Sequence, residues 1–514
     1  MKSIRVKNLH CISDTKVIPL KGINLLVGAN SSGKSSILRL FPLLKQGLEV
    51  KKRGPLLWYG EDVDFGTFKN TCKKGENYIQ LEFCIDLSFA DLRYRMYSSN
   101  RFGGIKKGEY YVSIKIESKE NIDYVSELKI IFADQEIEII LNDHNTIDKI
   151  IINKTDYSSF KDEMAVFPWN SLIPRVEFIR KIEEHRFAII QTYIPKALKT
   201  IIQNNCSSRV GADTINNIAY SIECGSLLEV LNSAKFQKRV VSWITSVSKW
   251  TIDTREFSKF NDLVLLQYLP RLISAIDSAL NDSVKNIHYI GPFRATAQRY
   301  YRKQNLSISE IDSQGFNLPM FIDNLPPSQQ RDFKKWMMDK FNFYIESSSS
   351  EGHISLMLVD VGSDEKFNLA DRGFGFSQLL PIITMLWTLE NSTYQRSVPR
   401  NIIFVIEQPE LHLHPLLQAK LADAFMASVH LFKEKKVDLK LILETHSPTI
   451  VNRIGMKISE QDFSADNVVK SVYVGDKVPI KGKVKLKNGD SAYITEEGLY
   501  LTTDIQYLND YTTE

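Results

Sequence analysis

One short stretch limits what this chain can fold into. Gly28 to Ser35 reads GANSSGKS and matches G-x-x-x-x-G-K-[ST] in full. The apolar run Gly22 to Val27 (GINLLV) precedes it and reads as a buried strand. Ser35 to Val50 follows with Ile37, Leu38, Leu40, Phe41, Leu43 and Leu44 at helical spacing. Strand, glycine loop and helix form the context in which this pattern cradles phosphate. Backbone N–H groups converge on phosphate oxygens, glycine permits their close approach, and the helix N-terminus adds partial positive charge. Lys34 is then placed to bridge β- and γ-phosphates, and the Ser35 hydroxyl to ligate Mg2+.

Three further segments carry chemistry. Ile402 to Pro415 (IIFVIEQPELHLHP) reads as a buried strand that ends in an acid. Ligands sit at that end of open α/β sheets, so Glu407 is the expected acid beside Mg2+, acting through its water. In Leu369 to Ile382 (LADRGFGFSQLLPI), Gly373 and Gly375 precede Ser377 and Gln378 and an apolar helix. This reads as a second phosphate-binding helix start, with an ordinary N-cap as the lesser alternative. In Leu439 to Ile450 (LKLILETHSPTI), His446 follows a buried strand, where it can contact a γ-phosphate or serve structure alone.

Composition sets the frame. Hydrophobic residues make up 43% and charged residues 25% of 514, ordinary globular usage. Lys+Arg 65 against Asp+Glu 61 gives +4, which neither demands nor excludes a nucleic-acid partner. The 5 cysteines show no Cys-x-x-Cys spacing, so no zinc cage is indicated, and scattered thiols fit a reducing cytoplasm. Residues 1–20 lack the apolar core of a signal peptide, and no unbroken apolar run of about 18 residues reads as a membrane span.

The pattern changes along the chain. Residues 77–153 alternate as antiparallel strands, and 160–285 read as helical, including VEFIRKIEEHRFAIIQTYI, with Pro195, Gly211, Gly225 and Pro270 as punctuation. From His288 the α/β pattern returns, with buried-strand runs at 401–406 and 439–443, and Ser347–Ser350 reads as a loop. The expected division is 1–70, the first part of a P-loop head; 71–158, an antiparallel β subdomain; 159–286, a helical insertion; 287–460, the rest of the head; and 461–514, a strand-rich tail.

Taken in this order, the motifs resemble the ABC-type ATPases of the SMC/Rad50/RecF group, closest to AAA15-like or OLD-like ATPases of prokaryotic anti-phage modules such as Septu and retron-associated systems. Gly28–Ser35 resembles Walker A, with Asn30 in the ABC style. Gly373–Gln378 stands where the ABC signature belongs, Ile402–Pro409 with Glu410 resembles Walker B, and His446 resembles the switch histidine. Tyr289-Ile-Gly-Pro-Phe-Arg294 resembles another segment of this group. The resemblance implies an α/β ABC ATPase head with a P-loop parallel sheet, ATP and Mg2+ as ligands, and a homo-oligomer formed through ATP-sandwiched heads. It implies Gly28, Asn30, Ser31, Ser32, Gly33, Lys34, Ser35, Ser36, Gly373, Gly375, Ser377 and Gln378 as nucleotide-binding residues. Ser35 and Glu407 are the implied metal residues, and Glu407, Gln408, Glu410 and His446 the catalytic ones. Where the group carries a second acid as base for water, this chain has Gln408, which orients water but accepts no proton. Glu410 is the expected substitute, with slow hydrolysis.

The implied function is a nucleotide-gated sensor or regulator in an anti-phage complex, with a nuclease or toxin effector on a separate chain. The alternative is a DNA repair or chromosome-maintenance ATPase. An OLD-type nuclease is disfavoured, because the stretch after His446 reads as strands and turns without a carboxylate cluster. DNA or RNA contact stays open through Arg299-Tyr-Tyr-Arg-Lys303 and the Arg101–Lys107 loop; no membrane partner is expected. The paired His412 and His414 read as a loop–helix junction rather than a metal pair, and the Lys51–Arg53 run as solvated charge.

Overall fold

The computed structural model describes residues 1–28, 31–50, 52–87, 104–167, 171–183, 186–190, 192–237, 240–304, 308, 310–363, 365–392 and 401–459, and strand segments within 469–507. Asn30 and Arg101 fall outside the described residues. The chain divides into two units.

The first unit comprises Met1–His10, Gln46–Tyr59 and Phe65–Asp282. Its sheet is antiparallel and runs from Ser3–Leu9 through Tyr78–Leu87, Gly108–Lys119, Ile122–Phe132, Gln135–Leu141 and Ile147–Ile152 to Thr155–Asp156. Alternation decides the faces: Ile79, Leu81, Phe83 and Ile85 are buried, as are Val112, Ile114, Ile137 and Ile139. Polar contacts tie helix Arg255–Lys285 to the strands. Gln135 Nε2 donates to Asn261 Oδ1 at 2.8 Å, and Asn153 Nδ2 to Asp262 Oδ1 at 2.7 Å. The Tyr157 hydroxyl adds a bond to Asp262 Oδ2 at 3.2 Å, so this buried polar group is satisfied.

Several expectations are corrected in this unit. Pro270, read as punctuation, lies inside one helix, Arg255–Lys285, which contains the helical stretch 263–280. An interior proline costs about 3 kcal/mol. Full burial of Leu263, Val264, Leu266, Leu269, Leu272, Ile273 and Ile276, each contributing roughly 1.5–3 kcal/mol, outweighs that. This helix is also long and apolar enough to cross a membrane by composition, which the search for an unbroken apolar run missed, and 78% of its most apolar window is buried inside the protein. The segment read as the helix VEFIRKIEEHRFAII is instead a hairpin, Arg175–Glu183 with Arg186–Ile189, and Met164–Phe167 pairs on the other side. Val176 and Phe178 are buried while Arg175 is exposed and Glu177 half-buried between them, a period of two that the short window also fits to a helix. Lys52 is not simply solvated: its ammonium donates to the Pro55 carbonyl at 2.7 Å, and burial lowers its pKa to about 8.

The second unit comprises Cys11–Lys45, Gly60–Asp64 and Ser283–Glu514. Its main sheet is parallel, in the order Ile287–Ile290, Asn401–Glu407, Asp438–Glu444, Ile23–Val27, Val469–Tyr473 and Ile505–Tyr507. The P-loop strand therefore neighbours Asp438–Glu444, and that strand separates it from Asn401–Glu407. Ile402–Glu407 and Leu439–Glu444 are buried without a break, as strands covered on both faces must be. Helices Phe374–Ser392 and Pro415–Glu434 pack Leu379, Ile383, Leu386, Leu421, Phe425 and Phe432 into one core with Phe404, Leu441 and Leu25. A smaller antiparallel sheet pairs Phe343–Ser350 with His353–Asp360. Ser347–Ser350 is thus strand rather than loop, its hydroxyls lying on a largely exposed stretch. The P-loop parallel sheet and the antiparallel β unit expected of an ABC-type ATPase head are both present.

Candidate nucleotide site

The strand Ile23–Val27 delivers the loop to the start of helix Lys34–Glu49. Gly28 and Gly33 hold φ of 134° and 105°, and Ser31 holds 61°. A Cβ on Gly33 would stand 2.9 Å from Ile12 Cγ1, so both conformation and space require glycine there. Lys34 is buried and its ammonium donates to the Gly28 carbonyl at 2.7 Å, inside the loop that would wrap phosphate. The Ser32 hydroxyl is buried without a hydrogen-bond partner among the described residues. Ser36 follows Ser35 in the first helical turn.

The strand-end acids divide differently from the sequence expectation. Glu407 and Glu444 lie side by side in register. Glu407 is gripped by Arg39 of the P-loop helix, Nε to Oε1 at 2.7 Å and a terminal nitrogen to Oε2 at 2.8 Å. The Tyr289 hydroxyl donates to the same Oε1 at 2.7 Å. The Ser35 hydroxyl donates to Glu444 Oε1 at 2.9 Å. Glu407, expected beside Ser35, is thus held by Arg39, and the carboxylate in contact with Ser35 is Glu444. Burial, with Glu407 alongside, pushes the Glu444 carboxyl above the usual range, against the Ser35 bond and the charges of Lys34 and Arg39. The signal for Glu444 was present in the sequence, since LKLILE repeats the apolar-run-then-acid pattern of NIIFVIE.

Behind the Glu407 turn lies Arg294, only 5% exposed. It donates to the Glu407 carbonyl at 2.6 Å and the Gln408 carbonyl at 3.3 Å. Burial lowers its pKa to about 10, against the pull of Glu410 and Glu407. Gln408 sits at φ 42°, and its N–H donates to the Glu444 carbonyl at 2.8 Å. Glu410, the expected base, has both oxygens engaged: Thr445 Oγ1 donates at 2.9 Å and the His446 N–H at 2.7 Å. Burial raises its pKa against these bonds. The His446 ring is held towards its neutral form by burial, and further by the Lys34 charge.

Glu410 is therefore a brace between two loops, which sets its test. An amide at 410 keeps one acceptor and cannot satisfy both donors. Glu410→Gln should lose stability by about 1–3 kcal/mol, read as a lower melting temperature, alongside any fall in turnover. A slow variant that melts like the parent would mean that Glu410 acts as a base alone.

Helix Phe374–Ser392 begins directly after Gly373, whose φ is 82°. Ser377 does not start the helix as expected. It lies within the first turn, buried, and its hydroxyl donates to the Phe374 carbonyl at 2.7 Å. Gln378 is buried and donates to the Arg294 carbonyl at 3.2 Å. A Cβ on Gly375 would stand 2.6 Å from the His412 carbonyl, so this glycine lets the helix start meet the Gln408–His414 turn. His414 accepts the Leu416 N–H at 3.3 Å as the N-cap of Pro415–Glu434, and His412 meets the Phe374 ring edge-on. The junction reading of this pair fits both contacts. Among the described residues no cluster of three or more His, Cys, Asp or Glu is built to hold a metal. One hydroxyl beside a carboxylate whose Oε2 has no hydrogen-bond partner among the described residues, Glu444, fits Mg2+, a hard cation that keeps most of its waters. In the basic stretch, Arg299 pairs with Asp371 at 2.5 Å and Lys303 with Asp323 at 2.7 Å. Gln46 donates to the Leu57 carbonyl at 2.7 Å, a role within the fold.

A P-loop at the end of a strand in a parallel sheet, beside strand-end acids, defines the P-loop class of nucleotide-binding proteins. Residues 1–451 match the AAA ATPase domain family, and the chain belongs to it. No curated protein matches the chain. Solved structures similar to it include an SMC head bound to the C-winged helix domain of ScpA, at 8% identity and TM-score 0.33 over 88% of this chain and 91% of that one. The SMC head domain from Thermotoga maritima is similar at 9% identity and TM-score 0.30 over 98% and 97%.

Proposed function

We propose that this chain is an ABC-type ATPase that binds ATP with Mg2+ and acts as a nucleotide-gated regulator in an anti-phage complex, its effector carried on another chain. The observation that carries the ATP reading is the loop itself: Gly28, Gly33 and Lys34 in phosphate-binding geometry, with Ser35 against a strand-end carboxylate. Lys34 and the first-turn N–H groups hold the phosphates, and Ser35 with a strand-end acid holds the cation. Mg2+, when bound, neutralises charge developing between the β- and γ-phosphates. Gln408 in place of a second acid supports slow turnover. The resemblance of the Glu407–Glu410 segment to anti-phage ATPases supports the defence setting. Co-purification of a second chain from cells that carry the neighbouring genes tests it.

The chain holds one P-loop and one segment at the signature position, Gly373–Gln378. A signature helix serves a nucleotide held by another head, so a closed two-fold pair completes two sites. Light scattering after size exclusion should show a dimer with ATP and Mg2+. A monomer both with and without ATP and Mg2+ sinks the sandwich reading.

A further inference from the structure

The second unit holds a cavity of about 450 Å3 that neither the phosphate loop nor the strand-end acids line. Small-molecule sites occupy roughly 300–1,000 Å3. We propose that this cavity binds a small, flat, uncharged heterocycle carrying a ring N–H and a ring nitrogen. The site is separate from the nucleotide and does not rest on the ATP reading.

Three segments build the cavity, and each is fixed before any ligand arrives. The first is Ala295–Gln298. The Ala295 N–H donates to the Gln314 carbonyl at 2.8 Å, which lays this segment along the second, the turn carrying Gly315 and Phe316. Asp312 holds that turn, its carboxylate accepting the N–H groups of Gln314, Phe316 and Asn317 at 2.9, 3.1 and 2.8 Å. The third is the helix Phe374–Ser392, which contributes Ser377 and Pro381. Gly315 holds φ 76°, and a Cβ there would stand 2.6 Å from Pro381 Cγ, so only glycine lets the turn close on the helix. Leu318, Leu356 and Leu369 are the buried side chains of the lining. Ser377 is the one residue shared with the helix start described above, and its hydroxyl is turned to the Phe374 carbonyl.

The lining selects the ligand. It contains no Asp, Glu, Lys, Arg or His, so a charged molecule would lose its hydration there without a counter-charge. Tyr301, Phe316, Pro319 and Pro381 present flat faces that suit a ring. Hydrogen bonding is left open at two points. Pro381 has no N–H, so the Ser377 carbonyl lacks the donor that an ordinary helix supplies. The Tyr301 hydroxyl accepts the Gln298 N–H at 2.7 Å and keeps its own proton to give. One acceptor and one donor in an otherwise apolar cavity match a ring N–H and a ring nitrogen. On the same helix face, one turn past Pro381, the Thr384 hydroxyl is fully buried with no hydrogen-bond partner among the described residues. Buried polar groups are rarely left so, and a bound molecule with its water would satisfy it.

Benzimidazole, neutral at pH 8, is the probe, and its binding to the full chain is followed by saturation-transfer NMR. Saturable binding is expected, undisturbed by ATP and Mg2+. Ala297, half-buried against the core, lines the cavity, and Ala297→Phe should weaken the probe by at least about tenfold, since hydrophobic pockets discriminate at this level over a single methylene. Thr296→Trp, at an exposed lining position, should do the same and keeps the test alive where the first variant fails to fold. 1-Methylbenzimidazole, which has no N–H, should bind more weakly than the parent probe. No saturable binding, displacement by ATP, or parent-like affinity in a folded Ala297→Phe or Thr296→Trp protein overturns the site. Equal affinity for the methylated probe overturns the ligand class.

Discussion

Lys34→Ala should lower ATP affinity by at least about 100-fold, since on the proposed reading the ammonium would give two charge-assisted hydrogen bonds to phosphate at about 1.5–3 kcal/mol each. Calorimetric titration of ATP into the parent and the variant measures this. The fold should survive. Lys34 belongs to the loop rather than to the sheet, and among the contacts it gives up is a bond to the Gly28 carbonyl within the loop. The sheet beneath depends on Ile23, Leu25 and Val27, which the substitution does not touch. Parent-like affinity in a folded Lys34→Ala protein would refute the phosphate-binding assignment of the loop.

Arg39→Ala should be among the most damaging single changes in the second unit, although Arg39 lies outside the glycine loop. It strips the guanidinium from a carboxylate that is 2% exposed, leaving Glu407 with the Tyr289 hydroxyl and the strain of a buried charge. Breaking a buried pair from one side costs about 3–5 kcal/mol, and the low end applies because the Arg39 side chain is 37% exposed. Thermal melting should show a drop of several degrees. Arg39→Ala/Glu407→Gln should recover most of it, because the amide still accepts from Tyr289 and carries no charge to strand. Equal melting temperatures for the parent and Arg39→Ala would show that the pair does not hold the P-loop helix to the strand.

Local pattern was enough for the elements that carry the site. The apolar run marked Ile23–Val27, and helical spacing marked Lys34–Glu49. The buried runs Asn401–Glu407 and Asp438–Glu444 were readable because a strand covered on both faces admits little but Val, Ile, Leu and Phe. Where the window was short, the period was ambiguous. Arg175–Ile189 fits a helix on paper and is a hairpin, because its partners lie on other strands. Pro270 reads as punctuation in sequence and is overridden by burial along the whole of its helix.

Which acid meets which partner was decided by tertiary structure alone. The sequence determined that a phosphate loop is present and that acids end two buried strands. It carries no mark that Asp438–Glu444 inserts between the P-loop strand and Asn401–Glu407. That insertion sets Glu444 against Ser35 and leaves Glu407 to Arg39, partners separated along the chain by most of its length. In the same way, the proximity of Glu410 to Thr445 and His446 comes from the parallel pairing of two strands, not from any local signal. Periodicity is a property of neighbours in sequence, while hydrogen bonds and ion pairs depend on distances of about 3 Å that only the packed sheet sets.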